Sequence, residues 1–487
     1  MHDTWSQRED AYDTVVVGGG LTGVVTALLA TRAAQRVALI EARDIGAVTT
    51  GNTTGKISVL QGTRLSQIAR RHSQPVTQAY VDANLAAQDW LVDYCAHVGL
   101  TTETADAYTY AESAAHTRAV DAEYRACRAT GLPARLVHET GLPYAVAAAV
   151  LVPNQVQFDP MPMLRAAVQE IRDLGGDVFT QLRVRTVRTD SSGCTVVTGD
   201  GDVRTDHVVL ATGIPILDRG GFFARLEPDR SYAGAFELPG APPEGMYLSV
   251  DTPTRSLRTA PGGSGRLLLV GGNGHVVGRH GSTSAEVEDL TEWTRQRFPG
   301  ARRVSHWSAQ DYSTPDELPY VGPLLPDNDR VSVATGYGKW GMTNSVAAAH
   351  LTAMRLIGSP DPQVESWGKA FTAWSVDRLF DAPGAARLNA AVGLHLACGW
   401  WDAATSTAPS DPPAEGQGRV VREGMRPVGV CTVNGTTHRV GAVCPHLGGV
   451  LRWNDAERSW DCPLHGSRFD ADGTLLEGPA TGGLSSR

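Results

Sequence analysis

Lysine is almost absent from this chain: three of its 43 basic residues are Lys and the rest are Arg. Long apolar runs are missing too, since no stretch reaches the roughly 18 consecutive residues that a membrane-spanning helix needs. The first 12 residues are polar and lack the basic segment and apolar core of a secretory signal. A soluble, cytoplasmic protein without membrane insertion is the expectation. No basic run offsets the formal net charge of −9, which argues against nucleic acid and against anionic membrane surfaces as partners. Of seven Cys, Cys95, Cys127, Cys194, Cys398 and Cys431 are isolated in sequence, an odd remainder without framework spacing, so a disulfide scaffold is not expected. No internal repeat is evident. At 487 residues the chain is too long for one ordinary core, and length alone suggests about three units.

What is present is concentrated at the two ends. Near the C-terminus the chain reads Cys444-Pro-His446-Leu-Gly-Gly and then, with 15 residues between His446 and the next Cys, Cys462-Pro-Leu-His465-Gly-Ser467. Two Cys and two His in paired arms can ligate a Rieske [2Fe–2S] cluster, with thiolates on one iron and imidazoles on the other. The same four residues could make a Cys2His2 zinc site, but zinc fingers place the Cys pair and the His pair on separate arms, whereas here each arm supplies one of each. With Leu447-Gly448, Gly466-Ser467 and Gly478-Pro479 flanking the arms, residues 418–487 resemble the Rieske family. The resemblance implies a small all-β domain with Cys444, His446, Cys462 and His465 as iron ligands. High-potential members carry two further Cys joined as a disulfide; here those positions are Gly449 and Leu464, and Phe469 stands where a Tyr is expected. Fewer hydrogen bonds to the sulfurs imply a potential in the lower half of the Rieske range.

At the other end, Asp13-Thr-Val-Val-Val17 reads as a buried strand that runs into Gly18-Gly-Gly20-Leu21-Thr22-Gly23, an apolar helix to about Ala34, and a second strand closing on Glu41. In this strand, turn, helix, strand setting the glycine pattern is a strong dinucleotide-binding signal. Gly18 permits the tight turn, Gly20 lets backbone amides approach a pyrophosphate, and Gly23 lets helix and strand pack closely. Glu41 is placed to hold ribose hydroxyls.

Two further segments choose between dinucleotides. Thr49-Thr50-Gly51-Asn-Thr53-Thr54-Gly55-Lys56-Ile-Ser58 is a loop rich in hydroxyls and glycine, and Val331-Ser-Val-Ala-Thr-Gly336-Tyr-Gly338-Lys339-Trp340-Gly341-Met342-Thr343 reads as a strand, a glycine loop and a helix start. These segments resemble the FAD-contacting pieces of the glycine/D-amino acid oxidase (DAO) superfamily. Gln157-Phe-Asp-Pro160, the strand around Val184, Val208-Val-Leu-Ala211-Thr212-Gly213, and Thr314-Pro-Asp316 with Pro319-Tyr-Val-Gly322 extend the likeness to about residues 12–380. The resemblance implies FAD, with the first loop under the flavin ring, Val184 on the adenine side, and the helix N-terminus after Gly341 near the ring, where its dipole favours negative charge.

The expected fold class is therefore α/β: a two-subdomain FAD-binding Rossmann-type flavoprotein of DAO type, plus a small all-β Rieske domain. The flavoprotein is expected over residues 1–402, with an FAD-binding subdomain from about 12–60, 150–215 and 325–380 and a substrate subdomain from about 61–149 and 216–324. An amphipathic connecting helix packed on the body is expected over about 386–400, an irregular linker over 403–417, and the cluster domain over 418–487.

Substrate chemistry is harder to read. Lys56 and Lys339 fall inside the two loops implied to touch flavin, where a compact ammonium with a movable pKa can tune or catalyse. Relatives in this superfamily place a carboxylate-clamping Arg shortly before the Thr-Pro-Asp segment; the matching position here is Asp311, so an ammonium on the substrate is the expected partner. Arg258 and His275 are expected to work as a pair on the substrate side. The resulting expectation is oxidation of a C–N bond of a small amine or amino or imino acid by hydride transfer to FAD, with electrons leaving through the [2Fe–2S] cluster to an external acceptor. Ferredoxin, quinone and oxygen are the candidate partners. Inward flow from a ferredoxin or reductase, and a plain oxidase carrying a structural or sensing cluster, stay open.

Overall fold

The β-branched run Thr14-Val-Val-Val17 suits a strand buried on both faces, and it forms most of Tyr12–Val17, which lies between two parallel neighbours. The computed structural model describes residue 5 and residues 12–263, 265–375, 378, 382–406 and 411–486. In the first sheet the strands run in the order Tyr320–Leu325, Asn328–Thr335, Asp202–Leu210, Tyr12–Val17, Val37–Ile40 and Asp177–Phe179, with the hairpin Val184–Asp190 and Gly193–Thr198 attached to the third. Of these six, the five from Asn328–Thr335 onward run parallel, and the Tyr320–Leu325 edge is antiparallel. Helices Leu21–Arg32, Gln74–His97, Pro160–Asp173 and Gly341–Ile357 bury one face of this sheet, and the hairpin with Phe222, Tyr312 and Tyr320 covers the other.

The N-terminal turn explains the glycine pattern physically. Gly18 has φ +112°, and a Cβ there would stand 2.4 Å from Ala211 O. At Gly23 a Cβ would lie 1.9 Å from Gly18 O, so the helix can approach the strand only because both side chains are missing.

A second, mixed sheet of nine strands stands over the first. Its order is Arg302–Ser313, Glu227–Glu237, Gly265–Val276, Arg255–Gly262, Met246–Ser249, Glu103–Ala111, Ala148–Gln157 and Lys56–Ile57, with Arg135–Val137 paired to Ala148–Gln157. Helix Thr283–Arg297 packs behind it on Tyr232, Phe236, Leu257 and Leu268. The chain passes between the two sheets several times, so the cleft separating them is lined from many parts of the sequence.

The C-terminal unit has a three-stranded sheet (Gly418–Glu423, Arg426–Val433, Thr436–Gly441) and a four-stranded one (Arg452–Asn454, Ser459–Asp461, Arg468–Asp470, Leu475–Glu477). Trp460, Phe469, Leu451 and Leu464 form its core. Helix Ala382–Thr405 leads into it and is longer at both ends than the sequence suggested. Val392 and Leu396 of this helix pack on the C-terminal core, so the helix belongs largely to that unit and touches the body through the Phe222–Arg225 turn. Residues 407–410 of the expected linker lie outside the described residues.

Candidate functional site

A cavity of about 710 Å³ opens between the two sheets. Gly18, Gly20, Leu21, Thr22 and Glu41 line it from the N-terminal turn, Thr53, Thr54 and Lys56 from the first loop, and Val184, Ala211, Thr212 and Gly213 from the other side of the first sheet. Gly338, Lys339, Trp340, Gly341 and Met342 close it at the start of the Gly341–Ile357 helix. Gly23, Gly55, Gly336 and Thr343, all expected at the site, stand behind this wall and shape it. Gly55, for example, has φ +67°, and a Cβ there would lie 2.1 Å from Phe158 O. Glu41 is fixed by two backbone amides, accepting from Gly19 N at 2.7 Å and from Arg43 N at 2.7 Å.

The candidate catalytic residues divide. Lys56 is buried, and its ammonium donates to Tyr247 O at 2.8 Å and Ser256 Oγ at 2.7 Å. Burial, reinforced by nearby Arg258, pulls its pKa down to about 7. Lys339 sits at φ +74°, a backbone region that non-glycine residues adopt at a cost of about 1–3 kcal/mol. Its N–H donates to Asp311 Oδ2 at 2.7 Å, and its ammonium reaches across the cavity toward Gly274 and Ser231 of the second sheet. A Cβ on Gly274 would collide with that ammonium, which makes no ion pair among the described residues.

Asp311 lines the cavity, but its carboxylate accepts from the backbone amides of Tyr312 and Lys339, and burial raises its pKa to about 6. Through these bonds the carboxylate holds the Lys339 loop, and it stands at the cavity, where an ammonium on the substrate was the expected partner. The Arg258–His275 pair is corrected. Arg258 is buried outside the cavity, its guanidinium donating to Thr259 O and Phe158 O at 3.0 and 3.4 Å. His275 is not in the cavity lining and stacks instead on the lining residue Tyr232, with ring centroids 5.7 Å apart. Sequence reasoning missed Arg64, whose buried guanidinium donates to Gly338 O and pairs with Glu317 at 2.8 Å, bracing the Lys339 loop from the opposite side.

The four ligand candidates of the C-terminal unit come together. Cys444 and Cys462 lie within hydrogen-bond reach of one another, and that contact lowers the pKa of the Cys444 thiol and raises that of Cys462. The His446 and His465 rings are 5.1 Å apart at 81°. His446 Nε2 donates to Asp218 Oδ1 at 2.7 Å, which leaves its Nδ1 for a metal. His465 is buried with an Nδ1 that has no partner, and burial, with His446 adding to it, lowers its pKa to about 4, so it is a neutral imidazole ready to ligate. Two Cys and two His brought together in pairs suit a two-iron cluster, with thiolates on one iron and imidazoles on the other. A Cβ at Gly449 would stand 2.7 Å from Leu464, so these two positions are adjacent but carry no sulfur.

The ligand arms face the body. Phe223 packs edge-on against both His rings, at 5.6 and 5.2 Å. Gln310 Nε2 donates to Gly466 O at 2.7 Å, beside ligand candidate His465, and the next residue after Gln310 lines the cavity. Arg279 Nε donates to Pro463 O at 2.9 Å, and Asp455 caps the Thr283–Arg297 helix through Thr283 N and Ser284 N at 2.8 and 3.0 Å. None of these contacts was legible in the sequence, because each joins residues more than 150 positions apart by side chains of ordinary type.

Comparison with known proteins agrees with this geometry. Residues 13–355 match the family described as DAO, FAD dependent oxidoreductase, and residues 406–486 match the Rieske [2Fe-2S] domain. The chain is 30% identical over 480 residues to YhfW of Bacillus subtilis, a protein named for a Rieske 2Fe-2S iron-sulfur centre, covering 97% of this chain and 93% of that one. Over 50 residues it is 48% identical to the cytochrome b6-f complex iron-sulfur subunit 1 of Nostoc sp., 10% of this chain and 28% of that subunit. Glycine oxidase from Geobacillus kaustophilus superposes with a TM-score of 0.61 at 20% identity, over 72% of this chain and 96% of that one. FAD and a [2Fe–2S] cluster are thus the cofactors of the two domains. No helix among the described residues is long and apolar enough to cross a membrane.

Proposed function

Because the chain belongs to the DAO family of FAD-dependent oxidoreductases and ends in a Rieske domain, we propose that it oxidises the C–N bond of a small amino or imino acid and passes the electrons through the cluster to an external acceptor. FAD supplies hydride acceptance and the [2Fe–2S] centre supplies one-electron transfer. One observation carries the reading: the Gln310 to Gly466 bond ties a ligand arm to the strand that walls the cavity.

The residues of this chain then divide the work of binding and proton handling. Gly18, Gly20, Leu21, Thr22 and Glu41 hold the dinucleotide, and Cys444, His446, Cys462 and His465 hold the cluster. Lys339, extended over Gly274, receives the substrate carboxylate. This replaces the Arg that position 311 lacks, and Asp311 serves as a positioning residue by holding the Lys339 amide. Lys56, whose pKa near 7 leaves it partly neutral at physiological pH, takes the proton from the substrate ammonium. Positioning and exclusion of water do the rest.

The test is an anaerobic titration of the purified protein with a panel of amino and imino acids, following flavin bleaching by absorbance and the cluster by low-temperature EPR. A reduced Rieske signal that grows in step with bleaching is expected. If reduced ferredoxin reduces both centres while no panel member does, electrons flow inward and the dehydrogenase reading is dropped.

A further inference from the structure

We propose that the cluster domain is itself a wall of the flavin site: the segment Leu476-Glu477-Gly478 closes the FAD cavity, so that FAD binding and docking of the cluster domain stabilise each other. Leu476, Glu477 and Gly478 line the same cavity as Gly18, Glu41, Arg183, Thr212 and Tyr312 of the body. They occupy that place through a built contact. Glu477 Oε1 accepts from Arg230 Nη2 of the body at 2.6 Å and from Arg468 Nη1 of the cluster domain at 2.6 Å. The Arg230 side chain is 1% exposed and that of Glu477 is 10% exposed. Arg230 is held in turn by Ser308 and by Gln310 Oε1, and Gln310 is the residue that also grips Gly466.

The second hold is on the backbone, where Arg183 Nη2, from the cavity lining, donates to Leu475 O at 3.1 Å. The loop's far side rests on a ligand arm: Gly478 has φ +102°, and a Cβ there would stand 2.5 Å from Ser467 Cα. Arg468 continues inward to Asp461 at 3.0 Å, one residue before Cys462. One short loop therefore touches the cavity on one side and a ligand arm on the other, with its only carboxylate clamped between two buried guanidiniums. A carboxylate so placed cannot leave with its domain without stranding the buried Arg230 guanidinium of the body, since Arg468 moves with it and keeps Asp461. What binds in the cavity favours the docked loop, and linkage makes the effect reciprocal.

The experiment uses the full-length protein with its cluster in place, stripped of FAD and titrated with FAD by fluorescence. Glu477→Gln and Glu477→Ala are expected to weaken FAD binding at least tenfold, with the reduced Rieske EPR spectrum unchanged as evidence that the cluster domain is folded. Affinities within twofold of the parent, with that spectrum intact, would overturn the proposal. Should either variant lose its cluster signal, hydrogen exchange on the unaltered protein decides. Addition of FAD is expected to slow exchange across residues 466–478, and exchange there that ignores FAD overturns the proposal.

Discussion

The two redox sites are built by opposite means. At the cluster, four side chains supply the chemistry from two short arms, and the surroundings serve to aim them: Asp218 on His446, Phe223 against both rings. In the flavin cavity the decisive feature is the side chain that is not there. Gly18 and Gly23 make room for a close turn, and Gly274 leaves the space into which Lys339 extends. A site made of ligands fails when a ligand is removed, whereas a site made of space fails when anything is added.

Cys462→Ser tests the first half of that contrast and carries the largest expected effect. It should abolish the Rieske EPR signal, and the FAD content of the same variant reads how far the cavity wall at Leu476, Glu477 and Gly478 stays docked without its cluster. Gly23→Ala tests the second half, since its methyl meets Gly18 O, and is expected to lower FAD content of the purified protein at least tenfold while Rieske EPR persists.

Smaller effects sharpen the picture within the cavity. Lys339→Met should raise KM for amino acids at least tenfold, and Gly274→Ala, which crowds the same ammonium, should reproduce a milder version; equal KM values in all three proteins would remove Lys339 from substrate binding. Lys56→Met addresses pH. The folded pKa of Lys56 is depressed to about 7 from an unfolded value near 10.5, so the unfolded chain binds more protons between those values and Lys56 makes stability rise as pH rises through that window. Thermal melts of the parent and of Lys56→Met from pH 6 to pH 10 should differ in slope there and run parallel below pH 7. The smallest effect concerns potential. With Gly449 against Leu464 in place of a disulfide, protein-film voltammetry is expected to find the cluster in the lower half of the roughly −150 to +300 mV Rieske range.

Legibility in the sequence followed the same division. The cluster arms were readable because iron ligands must be particular residues at short spacing, and the Gly18 to Gly23 turn was readable because a close backbone approach tolerates only glycine. The substrate wall was not. Arg258 shares a strand face with cavity-lining Ser256, but two residues farther on the cavity is closed by Phe158 and the loop at Gly55, so its charge is spent on carbonyls. Asp311 sits where expected, yet the backbone amides of Tyr312 and Lys339 claim both its oxygens, a fact that depends on a loop conformation no local pattern encodes. Arg64, Asp218 and Glu477 went unread because each matters only through a partner far along the chain.

The docked position of the cluster arms also sets an order of assembly. Cys444, Cys462 and His465 are each about 2% exposed, and Pro463 and Gly466 lie against Arg279, Pro228 and Gln310 of the body. A scaffold protein that delivers iron and sulfide needs to reach both arms at once, and the closed molecule offers no such approach. Cluster insertion is therefore expected to precede closure, and protein made under iron starvation is expected to accumulate with the C-terminal unit undocked, visible as faster hydrogen exchange across residues 466–478.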